Sequence, residues 1–473
     1  MMFMRWPKNL MLTTGFALAV LFAAVARGQG GNGGGDDDGG DASPSGGVEI
    51  NADGVLRLKM LTDPTGMLDR QKAMAAKAKL SPQLQQPSPM RMVSINRLES
   101  EIARLRAEGK PIPAEMRYLA GLTRVEYVFF YPHSKDIVIA GPAEGFFLNG
   151  QNRVVGTETG QATLHLEDLI VALRAFGPEG DRTRVISCSI DPTPEGTQRL
   201  RDTAATLQRN IRQLRAGDEV NVVQAYRQAL GLQVVTIQGV PPTTRFARIM
   251  TEADYNMKLI GMGLFVPPVP IVTWIQNSEP AAVSSNALIR WFFQPNYDRV
   301  HVSQDGLAMQ LVGNGVRLAA EDDRVDGQGN RRQTGQANRA SRLFCESFTN
   351  NYEALSQRMQ LYGELRNLID LSIAAAFIQK SNFYQMASWN MSLFGSESQM
   401  PVEIHPAPQY VEPVVNAYWK NNMFVCPIAG GVNFQPRVAL NSDRIKQDAD
   451  GAIEQKRQAH GVENLAEGQW WWD

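Results

Sequence analysis

The chain has 473 residues, of which 43% are hydrophobic and 20% are charged, and its formal net charge is −1. This composition is typical of a globular protein that is long enough for two or three domains. A protein that binds nucleic acid needs a basic surface to neutralise phosphates, so the near-balanced charge argues against nucleic acid as a partner.

The first 26 residues have the pattern of a secretory signal peptide. Arg5 and Lys8 precede an uncharged apolar run, and Ala24 and Ala26 supply the small residues of a peptidase cleavage site. A membrane anchor is the alternative, but the run is short for a span of ~20 residues and glycine-rich sequence follows it. We therefore expect export to the periplasm or the extracellular space, with no stable transmembrane anchor after cleavage.

Composition and turn signals divide the chain into six segments. The stretch GQGGNGGGDDDGGDASPSGG cannot pack a core and predicts a disordered linker. The predicted boundaries are 1–26 for the signal peptide, 27–47 for the Gly/Asp-rich linker, 48–110 for an N-terminal hairpin and helices, 111–264 for an α/β module, 265–440 for a strand-rich and helical module packed on the first, and 441–473 for a C-terminal helix and tail.

The first half of the chain predicts alternating strands and helices. Two short strands flank the turn NADG, a helix follows at 67–80, and an amphipathic helix runs from Ser94 to about Gly109. RVEYVFFYPHSKDIVIAGPAEGF reads as two strands that turn at Pro-His-Ser. HLEDLIVALRAF, PEGTQRLRDTAATLQ and VVQAYRQAL predict helices, whereas RVISCSI and LQVVTIQG predict strands. A helix at 244–261 ends this half.

The second half predicts antiparallel strands at 288–321, a polar loop at 324–340 and two helices within 341–380. An extended tail at 400–440 and a charged helix near 443–458 follow. Together the two halves predict an α+β fold, in which a mixed sheet covered by helices is followed by an antiparallel segment and a central helical pair.

Familiar catalytic and metal motifs are missing. The five histidines are at least 32 residues apart, which excludes an HExxH helix, and there is no GxSxG elbow or GxxxxGK[ST] loop. The acid runs DDDGGD, NADG and DADG do not close a calcium loop with a carboxylate. No metal or cofactor is therefore predicted, although a site assembled from distant loops stays open.

Two acids in helical segments are the remaining weak candidates for catalysis. Asp254 in MTEADYNMKLIGMGL lies at the edge of an apolar face, one turn before Lys258. Asp370 in ELRNLIDLSIAAAFIQ lies one turn after Arg366, in a helix that is apolar around nearly its whole circumference. The i,i+4 spacing of Asp254 and Lys258 suits an ion pair at the boundary of the helix face, and a buried acid such as Asp370 needs a partner. We therefore interpret both as members of structural ion pairs rather than as catalytic groups.

Three cysteines and a tryptophan-rich end leave questions open. Cys188, Cys345 and Cys426 allow at most one internal disulfide, and the sequence does not decide whether any two are bridged. The final QWWWD could dock on a partner or pack on its own chain.

Five runs resemble one family of exported planctomycete proteins that is catalogued only as a domain of unknown function. These runs are DIVIAGPAEGF, LEDLIVALRAF, SCSIDPTPEGTQRL, EADYNMKLIGMGL and LRNLIDLSIAAAFI. The resemblance implies export and one integrated module over roughly 115–430. It implies no catalytic residues.

Two functions remain in competition. The first is a non-enzymatic binding or scaffolding component of the periplasm or cell surface, with a cell-envelope component as its expected partner. The second is a secreted hydrolase with a dispersed active site that includes Asp254, Asp370 or a loop histidine.

Overall fold

The structure is a computed structural model that describes residues 2–5, 45–51, 53–61, 67–209, 218–278, 287–297, 299–325, 331–333, 335, 337–417, 423–426, 430–462 and 465–473. Most of the predicted signal peptide and of the Gly/Asp-rich linker lies outside these residues, as does part of the predicted loop at 324–340.

The strands are β1 Met2–Arg5, β2 Ser45–Ile50, β3 Val55–Leu61, β4 Ser88–Ser94, β5 Tyr127–Tyr131, β6 Asp136–Ala143, β7 Phe146–Leu148, β8 Val154–Gly156, β9 Ile186–Asp191, β10 Gln233–Gln238, β11 Ala287–Asn296, β12 Arg299–Val302, β13 Ala308–Val312, β14 Gly315–Val325, β15 Arg331–Gln333, β16 Tyr410–Val411, β17 Met423–Cys426, β18 Gly430–Phe434, β19 Ile445–Gln447 and β20 Trp471–Trp472.

The helices are α1 Met67–Lys77, α2 Pro82–Gln85, α3 Ile95–Ala107, α4 Ala114–Arg117, α5 Leu166–Ala175, α6 Pro194–Arg209, α7 Glu219–Leu230, α8 Arg245–Gly261, α9 Trp274–Asn277, α10 Arg339–Asn350, α11 Tyr352–Arg358, α12 Gln360–Lys380, α13 Phe383–Met386, α14 Pro436–Ala439 and α15 Ala452–Ala459, with one 3-10 turn at Leu119–Gly121. This content confirms the predicted α+β class.

Seven strands form one sheet in the order β19-β12-β13-β5-β6-β4-β20. Its neighbouring strands are antiparallel except β12 and β19, which are parallel. β5 and β6 form the predicted hairpin, in which Tyr131 pairs with Asp136 around the Pro-His-Ser turn. Both faces of the hairpin are buried, because Phe130 belongs to the main core and Phe129 packs in a second cluster with Ile453 of α15.

Nine strands form the second sheet in the order β15-β14-β11-β18-β9-β10-β16-β3-β2. It is mixed, because β11–β18 and β16–β3 are parallel pairs while the other neighbours are antiparallel. The sheet takes strands from all three of the predicted segments 48–110, 111–264 and 265–440, so the chain does not build one sheet per segment. Two further two-stranded sheets pair β1 with β17 and β7 with β8.

Helices α8 and α12 lie at the centre of the molecule. Every residue of α8 except Arg248 is buried, and α12 is buried from Leu361 to Gln379. Thr244 begins α8, because its side-chain oxygen accepts a hydrogen bond from the amide of Ala247. α12 packs against α5, α8 and α11. The central position predicted for α12 from its uniformly apolar surface therefore agrees with its burial.

The polar face of α8 is buried as well, which corrects its interpretation as an amphipathic helix with an exposed side. At its end, a Cβ on Gly261 would lie only 2.6 Å from the ring of Trp291 and 2.9 Å from Phe344. The glycine therefore allows β11 and α10 to pack closely against the end of α8.

Two other local predictions differ from the structure. Two helices were predicted within 341–380, but the structure has three, because the backbone at Asn351 and at Met359 is not helical. The charged helix predicted near 443–458 is shorter, since β19 occupies part of this range and α15 follows from Ala452 to Ala459. For the tryptophan-rich end, the sequence left open docking on a partner or packing on its own chain; in the structure it packs on its own chain as β20, which pairs with β4 and buries Trp472.

Cys188 and Cys345 are free, buried thiols. Burial raises the pKa of Cys188 to about 12, which keeps this thiol protonated and inert. Among the residues described here, no helix combines the length and the apolar character that crossing a bilayer requires.

Candidate functional site

The centre of the molecule contains a buried network of charged side chains built on Glu364. One carboxylate oxygen of Glu364 accepts a hydrogen bond from Arg153, and the other accepts one from Arg245 at 2.5 Å. All three side chains are at least nine-tenths buried. Glu364 comes from α12, Arg245 begins α8 and Arg153 directly precedes β8, so one carboxylate joins three elements.

Each arginine also pairs with a second acid. Arg153 donates a hydrogen bond to Glu252 of α8, and Arg245 donates one to Asp168 of α5. On α8 the spacing of Arg245, Arg248, Glu252 and Asn256 is three, four and four residues, which places all four on one side of the helix. Arg245, Glu252 and Asn256 of this polar stripe are buried and contact side chains of other elements, whereas Arg248 is half-buried.

The pKa values of the acids in the network are shifted in opposite directions. Burial alone would raise the pKa of Glu364, but Arg153 and Arg245 hold it below its ordinary value. Burial raises the pKa of Asp168 to about 7, against the attraction of Arg245. Burial also raises the pKa of Glu252. Glu364 differs from the other two acids in forming ion pairs with two arginines instead of one.

A cluster of histidines and glutamates continues this network to the surface. Glu167 precedes Asp168 in the first turn of α5, and its Oε1 lies 3.6 Å from His165 Nδ1 and 3.9 Å from Arg245 Nε. Its Oε2 lies 3.9 Å from His405 Nε2. Donor atoms of Glu167, His405 and the exposed Glu403 all lie within 4.8 Å of one another. We call these three residues and His165 the carboxylate–histidine cluster.

The two histidines of this cluster are held differently. Burial and the nearby Arg245 lower the pKa of His165 to about 4, so its imidazole is neutral at pH 7. The ring of Tyr118 lies edge-on to it at 5.2 Å. His405 is fixed through its backbone, because its amide donates a hydrogen bond of 2.8 Å to the carbonyl of Thr243. Attraction from the histidines and Arg245 holds the pKa of Glu167 below its ordinary value despite burial.

Asp254 is fully buried and lies 3.1 Å from Lys258 Nζ. The ammonium group also donates a hydrogen bond of 3.4 Å to the carbonyl of Ile190 on β9. Burial raises the pKa of Asp254 to about 6, although Lys258 opposes this shift. Asp254 and Lys258 thus lie together. Both are buried in the interior of the protein, and neither is at the exposed edge of the apolar face of α8.

Asp370 has a different partner from the one its sequence position suggests. Arg124 Nε lies 3.2 Å from its Oδ2, and the hydroxyl of Tyr297 donates a hydrogen bond to its Oδ1. Arg366 instead donates a hydrogen bond of 3.3 Å to Ser356 and attracts Asp370 from farther away. The predicted Arg366–Asp370 contact is therefore corrected, because the guanidinium of Arg124 from the segment before β5 reaches the carboxylate more directly.

Tyr297 separates Asp370 from a cavity of about 140 Å³. The tyrosine lines this cavity together with Arg317, Asn433 and Arg444. Asp370 itself has no exposed surface. Its carboxylate is thus one hydrogen bond away from the cavity but does not face it.

The sequence contains one signal for the carboxylate–histidine cluster that motif reasoning missed. His-Leu-Glu at 165–167 and Glu-Ile-His at 403–405 each place an imidazole and a carboxylate two residues apart. The two triplets are separated by more than 200 residues, so their meeting depends on the fold. The sequence left open a site assembled from distant loops, and this cluster does bring together two segments that are distant in the chain.

Comparison with known proteins gives one match. Residues 188–274 match the model of a family described as "Protein of unknown function (DUF1598)". The matched segment runs from β9 to the start of α9 and contains the buried polar stripe of α8 and the Asp254–Lys258 pair. No curated protein matches the chain, and no solved structure matches it either.

Replacing Glu364 by Gln should destabilise the fold strongly, because Arg153 and Arg245 cannot lose their protons and would share no ionised acid. Breaking a buried ion pair costs about 3–5 kcal/mol, so we expect a loss of that size in the free energy of unfolding in urea. Glu353→Gln, at an exposed acid of α11, is the matched control and should stay within about 0.5 kcal/mol of the wild type. Equal effects of the two substitutions would contradict the account of the network.

Asp254 should make stability depend on pH between about 4 and 6. An acid whose pKa is raised in the folded state binds its proton more tightly there, so stability falls as pH rises through this window. The shift from 3.8 to about 6 corresponds to about 3 kcal/mol. Asp254→Asn cannot ionise, so the wild-type free energy of unfolding minus that of the variant should fall by this amount from pH 4 to pH 7. Denaturant titrations that give a constant difference would refute this assignment.

Proposed function

We propose that the protein is exported and acts outside the cytoplasm as a non-enzymatic binding or scaffolding component of the periplasm or cell surface. The export part of this proposal rests on the charged start, the apolar run and the small residues Ala24 and Ala26. The resemblance to exported planctomycete proteins supports the same location. A cell-envelope component is the proposed partner.

The observation that carries the non-enzymatic part is the position of the two candidate acids. Asp254 and Asp370 have no exposed surface, and each faces a cation of its own chain. A catalytic acid must come within hydrogen-bond reach of a substrate. We therefore propose that these acids join elements of the fold and that binding takes place on the surface.

A secreted hydrolase is the second candidate, and the carboxylate–histidine cluster is the observation that favours it. This cluster is partly open to solvent and combines imidazole with carboxylates, which are the side chains of general acid–base and metal-assisted hydrolysis. In this alternative, a loop histidine contributes to the chemistry, whereas Asp254 and Asp370 do not.

Export predicts that cells process the chain after Ala26. Expression of the full chain with a C-terminal tag should give a protein outside the cytoplasm whose first residue is Arg27, as read by mass spectrometry. Ala26→Arg should block cleavage, whereas Ala19→Leu, which keeps the run apolar, should not. Cleavage would also remove β1 from its pairing with β17. Full-length protein found only in the cytoplasm would refute this proposal.

Binding without catalysis predicts a ligand that stabilises the protein and is recovered unchanged. A thermal-shift screen of glycans, peptides and nucleotides is the direct experiment, since a ligand at 100 times its Kd adds about 2.7 kcal/mol of stability. Each compound that raises the Tm is then recovered and analysed by mass spectrometry. Hydrolysis that disappears in Glu403→Gln but persists in Glu353→Gln would favour the hydrolase instead.

A further inference from the structure

We propose that Glu167, Glu403 and His405 form a binding site for one Zn²⁺ ion. Imidazole nitrogen and carboxylate oxygen are both zinc ligands, and a site with three protein ligands keeps a fourth position for water. Glu403 is exposed and the other two side chains are partly buried, so an ion can enter from solvent. This inference is independent of the proposed function, because it concerns a metal and not the partner or the location.

The distances within the cluster suit an ion better than direct hydrogen bonds. His405 Nε2 is buried and has no hydrogen-bond partner among the described residues, and it lies 3.9 Å from Glu167 Oε2. A hydrogen bond between nitrogen and oxygen spans about 2.7–3.2 Å. Two ligands bound tetrahedrally to zinc at ~2.0–2.1 Å lie about 3.3 Å apart. Movements of the three side chains that shorten their separations, which are within 4.8 Å, would therefore bring the donor atoms to the spacing of zinc ligands.

The ligands stand on fixed parts of the fold. The backbone of His405 is hydrogen-bonded to Thr243, next to the residue that caps α8. Glu167 belongs to the first turn of α5. His165 contacts the oxygen of Glu167 that faces away from His405, at 3.6 Å, and we assign it as a positioning residue that orients this carboxylate.

Calorimetric titration with ZnCl₂ tests the site directly. The purified, untagged protein is treated with chelator, desalted and titrated, and we expect saturation at one Zn²⁺ per chain. Glu403→Gln and His405→Gln should each weaken Kd at least tenfold, because each removes a ligand. Glu353→Gln and His133→Gln replace an exposed acid and an exposed histidine outside the cluster, and they should bind as the wild type does.

Further readouts separate coordination from folding. Co²⁺ bound in the same place should give visible absorption bands that are lost in His405→Gln, and Glu403→Gln should keep the wild-type Tm without metal because this side chain is exposed. His165→Asn should weaken Kd by about 10–100-fold, as expected for a residue that orients a ligand. No saturable binding by the wild type, or equal binding by His405→Gln, would overturn the proposal without affecting the export and partner experiments.

Discussion

The contact of one buried carboxylate with two buried arginines is the constraint on which the centre of the structure depends. Glu364 holds Arg153 and Arg245, and these in turn hold Glu252 and Asp168. Removing each of these charges from water costs free energy, and pairing with an opposite charge offsets that cost. The helices and strands that carry the charges are therefore stable only in the relative positions that pair them. The network therefore specifies how α5, α8 and α12 meet, beyond what their apolar surfaces determine.

This constraint extends to the surface through two neighbouring residues of α5. Asp168 points into the network, while Glu167 faces the two histidines of the carboxylate–histidine cluster. Arg245 contacts both acids, so the position of the outer carboxylate is tied to the inner one. The interior network thus fixes the position of a carboxylate at the surface, beside two histidines.

Sequence periodicity predicted the elements well and the polar interior poorly. The hairpin at β5–β6, the start of α3 after Ser94 and the apolar circumference of α12 were readable, because each depends on local spacing. The polar stripe of α8 has the spacing of a solvent-facing side, since a helical wheel does not show whether a polar face contacts water or buried guanidinium groups. Likewise, Arg124 lies 246 residues from Asp370 in the chain, so only the fold identifies it as the partner in place of Arg366.

A double-mutant cycle between Arg245 and Glu364 measures how strongly these two buried side chains stabilise the fold together. The free energies of unfolding of the wild type, Arg245→Met, Glu364→Gln and the double variant give the coupling between the two side chains. If Glu364 and Arg245 pair as described, the coupling should be favourable by about 1–3 kcal/mol, and the double variant should be less destabilised than the sum of the single ones. Additive effects, within about 0.5 kcal/mol, would contradict it.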